Sequence, residues 1–168
     1  MKNYTLQGII DSKEEEAFRN FSPLGDRLVA SGSINYYYAT PRWSHTDVIM
    51  QTPRGKVGVE LKNWFRDPTD YRQNKKITDY VLLKEKKLEY IQQYQKQEGL
   101  IGTYLCIIIG GNDYYWINTD KIQFEWLGWR WEKRVQMDPE SDWGWFKYYY
   151  IPKTETLHMT LAELTGNN

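Results

Sequence analysis

An α/β fold ending in an aromatic β-hairpin is what this 168-residue sequence predicts. Three patterns predict it. Apolar residues recur at helical spacing around Ala17, Phe18 and Phe21, and again at Leu83, Tyr90, Ile91 and Tyr94. Two alternating segments meet at Thr52-Pro53-Arg54-Gly55, and Gly102 to Gly110 is continuously apolar. At 20.2 kDa, one domain spanning residues 1–168 is expected, with enough chain for a proper core.

Residues 11–22 read as the first helix, capped by Asp11 or Ser12 with acids in its first turn. Glu14 lies three, four and seven residues before Ala17, Phe18 and Phe21, and so shares their stripe, whereas Glu15 and Glu16 point more to solvent. A short strand is expected around Asn35–Thr40.

The hairpin follows. Pro53 and Gly55 suit a type I turn, and pairing Thr52 with Gly55 sets Gln51 opposite Lys56. Counting back places Asp47 opposite Glu60, with Cβ atoms about 4.5–5.5 Å apart. Alternation puts Val57, Val59 and Leu61 on a core face and Asp47, Glu60 and Lys62 on the other. Facing carboxylates repel, and a divalent cation between them removes the penalty. Their hard oxygens suit Mg²⁺ or Mn²⁺, and Lys62 beside them can act on a water or on phosphate charge.

Asp47, twelve intervening residues and then Glu60-Leu61-Lys62 resemble the PD-(D/E)XK nuclease superfamily, with Thr46 where a Pro is common. The triplets Asp11-Ser12-Lys13 and Glu85-Lys86-Lys87 lack the paired Asp. The resemblance implies a restriction-endonuclease-like mixed β-sheet flanked by helices, with a core at about 10–120 and a C-terminal β-hairpin extension at 121–165. It implies that Asp47 and Glu60 hold the metal, helped by the Leu61 carbonyl, and that Lys62 acts on the attacking water. It also implies a first-helix Glu in the metal site, for which Glu14 fits best and Glu15 is the fallback.

Other candidates are open to plainer readings. His45 is either a ligand or substrate contact, or an exposed loop residue. Arg42 could meet a phosphate. Phe65 to Ile77 reads as a polar loop placed to wrap substrate, and Thr78 to Gln97 as a helix stopped near Gly99. Lys86 and Tyr90 resemble a Gln-X-X-X-Tyr element of some superfamily members, with Lys in place of Gln; Lys84, Lys86 and Lys87 could equally be solvated.

Gly102 to Gly110 suits a central strand buried on both faces, and Tyr114 to Ile117 the next strand. Trp129 to Met137 alternates, Asp138 to Asp142 turns, and Trp143 to Ile151 returns. With Trp126, this region holds five of the eight Trp. Core packing or a dimer contact is favoured over base stacking for these rings. The tail after Thr165 is expected to be disordered.

Net charge is zero, yet Pro53 to Lys87 carries ten Lys/Arg against five Asp/Glu, as a phosphate-binding edge requires. One Cys and two His support neither a disulfide framework nor a zinc site. No phosphate loop or dinucleotide turn occurs. The start lacks a signal-peptide core and no segment is long and apolar enough to span a bilayer, so a cytoplasmic, non-membrane protein is expected. The expected function is metal-dependent DNA cleavage, of the Holliday-junction resolvase or phage recombination and repair kind, with branched or duplex DNA and a second copy of the chain as partners. Two alternatives stand: a non-catalytic nucleic-acid-binding or structural protein that kept the fold, and an RNA endonuclease.

Overall fold

The computed structural model describes residues 6–41, 44–64, 80–110, 113–134 and 144–160. The fold is mixed α/β. Helix α1 (Leu6–Ala30) is followed by strands β1 (Tyr36–Ala39), β2 (Val48–Thr52), β3 (Gly55–Trp64) and β4 (Tyr80–Lys84). Helix α2 (Glu85–Glu98), β5 (Gly102–Ile109), β6 (Asp113–Asn118), β7 (Trp129–Arg134), β8 (Gly144–Pro152) and β9 (Leu157–Thr160) complete it. Six strands form one sheet in the order β1-β2-β3-β5-β6-β9, in which only β3 and β5 run parallel. A second sheet has the order β4-β8-β7.

The β2–β3 hairpin takes the register that its turn chemistry predicts, with Thr52 opposite Gly55 and Gln51 opposite Lys56. The Thr52 hydroxyl oxygen accepts from the Arg54 and Gly55 amides, both at 3.2 Å, and so closes the turn. Strand β5 alternates between two cores. Cys106 and Ile108 pack with Val57, Val59 and Leu61 against Phe21 and Leu24 of α1. Leu105, Ile107 and Ile109 pack with Val81, Leu83, Ile151 and Leu88 of α2 on the opposite face. That is the double burial expected of Gly102–Gly110.

Three expected elements differ. The first helix runs past residue 22 and through Pro23 to Ala30. Pro removes one helical donor, but Phe21 and Leu24, both fully buried, bracket it and hold the chain in register. Gly25 lets the helix dock closely, since a Cβ there would lie 2.6 Å from the Tyr37 ring. Second, Tyr80–Lys84 is strand rather than helix, and Leu83 belongs to it; the buried face of α2 is Leu88 and Ile91. Pairing with β8 overrides the helical pattern, and α2 ends at Gly99 in the left-handed region. Third, the expected C-terminal hairpin forms, with β7 antiparallel to β8, but it is built into the sheets and not appended to them. Strand β8 joins β4, and β9 extends the main sheet beside β6. The expected polar loop at 65–77, the turn at 138–142 and the tail after Thr165 lie outside the described residues. No helix among the described residues is long and apolar enough to cross a membrane.

Candidate metal and phosphate site

The β2–β3 ladder ends with Val48 opposite Val59, and the Asp47 amide donates to that same Val59 carbonyl at 2.8 Å, an off-register bond that sets Asp47 and Val48 together against Val59 as in a β-bulge. The expected pairing of Asp47 with Glu60 is therefore not part of the ladder, although Asp47 is close enough for its charge to raise the Glu60 pKa. Asp47 Oδ2 accepts from the Leu61 amide at 2.7 Å, which fixes the carboxylate over the partner strand. Since Val59 and Leu61 face the α1 core, Glu60 and Lys62 face the opposite side, toward α2. Leu100 and Thr46 close in on the strand beside Glu60. A Cβ on Gly58 would lie 2.9 Å from Leu100 Cδ1 and 3.0 Å from Thr46 Cγ2.

Glu60 is only 7% exposed. Its Oε1 pairs with Lys87 Nζ at 2.9 Å, and its Oε2 is buried without a hydrogen-bond partner. Burial raises its pKa to about 7, and the neighbouring Asp47 charge pushes the same way against Lys87 and Lys62. A buried carboxylate with one orphaned oxygen and a second carboxylate nearby has the chemistry of a hard-cation site. Asp47 and Glu60 are the acids that the described residues bring together, and they form a pair rather than a group of three or more acids, His or Cys. The side chain of Glu14 lies outside the described residues, though its backbone is in α1; Glu15 is exposed.

The remaining candidates fall in different places. Lys62 is half-buried on the Glu60 face and close enough to lower that carboxyl's pKa. His45 stacks on Tyr90 of α2, ring centroids 4.9 Å apart, and meets Tyr94 edge-on at 6.2 Å. It lines a cavity of about 520 Å³ with Tyr38, Ser44, Lys56 and Tyr94. Lys86 is exposed, 5.8 Å above the Tyr90 ring. The lysine of α2 that reaches the carboxylates is Lys87, which the sequence left among solvated residues. Only the tertiary placement of α2 distinguishes it, although its position in the basic stretch from Pro53 to Lys87 is a weak signal. Arg42 lies outside the described residues.

No protein-family profile matches the chain, and no curated protein matches it in sequence. Among solved structures, it is similar to the 1.6 Å resolution structure of Archaeoglobus fulgidus Hjc, a Holliday junction resolvase from an archaeal hyperthermophile. Identity is 14%, the TM-score is 0.49, and the match covers 91% of this chain and 98% of that one. The chemistry of this chain stands on Asp47, Glu60, Lys62 and Lys87 themselves.

Proposed function

We propose that the protein is a metal-dependent endonuclease that hydrolyses DNA phosphodiester bonds. The observation that carries the reading is the buried Glu60 beside the half-buried Asp47, with Glu60 Oε2 lacking a hydrogen-bond partner among the described residues. Such a pair is unfavourable unless a cation completes it. Asp47, Glu60, the Leu61 carbonyl and Glu14 would hold Mg²⁺ or Mn²⁺. When bound, that ion supplies Lewis acidity and charge neutralisation at the phosphate. Lys62, on the Glu60 face, holds and orients the attacking water. Lys87 fixes the Glu60 carboxylate through Oε1 and leaves Oε2 turned to the ligand position. His45 and Lys86, which both lie against the Tyr90 ring, and Arg42 would contact the substrate. A junction-resolving or phage recombination and repair role, working in the cytoplasm as a homodimer on branched DNA, is the finer form of this reading. Two symmetric cuts need two sites.

The test is cleavage of labelled single-stranded, duplex and four-way-junction DNA, and of RNA, with Mg²⁺, Mn²⁺ or EDTA. Metal-dependent cutting that disappears in Glu60→Ala supports the nuclease and names its substrate. One feature favours a second reading. The Lys87 ammonium already offsets half of the carboxylate pair, as in a protein that keeps the fold to bind nucleic acid without cutting it. Binding without cleavage under either metal would select that reading.

A further inference from the structure

The second sheet carries an aromatic surface that its own core does not use. In the β7–β8 register, Trp129 is opposite Tyr149, Trp131 opposite Lys147, and Lys133 opposite Trp145. Directly paired residues share a face, so these six side chains form one chequerboard of rings and ammonium groups. The rings lie open, at 51% exposure for Trp129, 56% for Trp131 and 64% for Trp145. Trp126, in the turn that feeds β7, is 80% exposed. Trp129 and Trp131 meet edge-to-face with centroids 6.2 Å apart, and Lys147 Nζ stands 4.7 Å over Trp129.

Register also tells which way this surface looks. Tyr149 pairs with Leu83 on its other side, and Leu83, Val81 and Ile151 pack with Leu105 and Ile107. That is the face of the main sheet on which Glu60 lies. The chequerboard is therefore an overhang of the core-facing side of the second sheet, which looks back toward the main sheet on the face that carries Glu60. Helix α2 ties the two together through its first turn. Glu85 accepts from the Tyr149 hydroxyl at 2.7 Å and pairs with Lys147 at 3.1 Å, and Lys87 pairs with Glu60.

We infer that this tryptophan–lysine face is a stacking platform for an unpaired nucleic-acid strand lying beside the Asp47–Glu60 site. The inference deepens the proposed function by naming the substrate class as one with a single-stranded segment. Charge selects the occupant. Protein interfaces enrich Trp but deplete Lys from their buried centre, and a second copy of the chain would bury Lys133 and Lys147 against their like. A single strand instead offers a ring and a phosphate at every step, which matches alternating Trp and Lys. Rings accept any base, so the platform reads strandedness and not sequence.

The experiment is quenching of intrinsic tryptophan fluorescence by a 15-nucleotide oligo(dT) and by a duplex of equal length, on the full chain in EDTA. Saturable quenching is expected with oligo(dT), at least tenfold tighter than with the duplex. Trp131→Ala and Trp145→Ala are each expected to weaken it about tenfold, whereas Trp131→Phe, which keeps a ring, retains most of it. Lys133→Ala should lower the salt dependence by about 0.7 in log–log slope. Equal affinity for duplex and single strand, or unchanged affinity in Trp131→Ala, overturns the inference. So does a dimer, seen by light scattering, that Trp131→Ala converts to monomer. Because no metal is present, the nuclease reading fails separately: binding without metal-dependent cleavage removes the enzyme and keeps the platform.

Discussion

Glu60 and Lys87 meet at 2.9 Å across the space between β3 and α2, and the second oxygen of that carboxylate has no partner. The contact ties the candidate site to a helix that nothing in the hairpin itself would recruit. It also sets how the site responds to charge, pH and metal.

Removing Lys87 strands a buried carboxylate. Lys87→Met keeps most of the stem but no charge, and should lower metal-free stability at pH 8 by about 1–2 kcal/mol. That is less than a fully buried pair would lose, because Lys87 is partly exposed. Urea unfolding in EDTA measures it. The loss should shrink at pH 5.5, where Glu60 is protonated and has no charge to compensate. A loss of equal size at both pH values would assign Lys87 to packing alone.

Stability should itself fall as pH rises. The folded pKa of Glu60, about 7, lies above the usual 4.5, so the folded state holds the extra proton between them. The stabilising contribution is full below pH 4.5 and is lost as pH climbs through about 7. The difference corresponds to roughly 3 kcal/mol. Denaturation midpoints of the metal-free protein between pH 5 and 8 should decline accordingly. Glu60→Gln should flatten that part of the profile; a decline that survives this substitution would place its origin elsewhere.

Gly58 is required by contact and not by backbone angle. A methyl there would press on Leu100 and Thr46. Gly58→Ala should cost about 1–3 kcal/mol, as overpacking does, and move the urea midpoint with little change in slope. An unaffected midpoint would mean that Leu100 can give way.

The parts of this architecture legible in the sequence are those that local rules determine. Pro53 and Gly55 set the hairpin register as far as Val48 opposite Val59, which brings Asp47 near Glu60 just beyond the last paired residues. Gly99 stopped α2, and the apolar run at 102–110 could only be a strand with cores on both sides. What escaped depends on distant partners. Tyr80–Lys84 looks helical because it leads into a helix that starts without a side-chain cap, and only β8 makes it a strand. Pro23 reads as a stop until Phe21 and Leu24 are seen buried on both sides of it. Lys86 and Lys87 are indistinguishable in sequence; a turn of about 100° per residue sends one to solvent and the other to Glu60. The tryptophans of β7 and β8 were expected in a core or dimer contact, and they are half or more exposed because β7 is an edge strand that overhangs the core.

The central claim is that Asp47 and Glu60 form a divalent-cation site, and the most direct measurement is calorimetric titration of the metal-free protein with Mn²⁺ at pH 8. The account predicts saturable binding that Asp47→Ala and Glu60→Gln each abolish, with the fold kept by circular dichroism. Binding that survives both substitutions, or no binding to a folded wild-type protein, would contradict it.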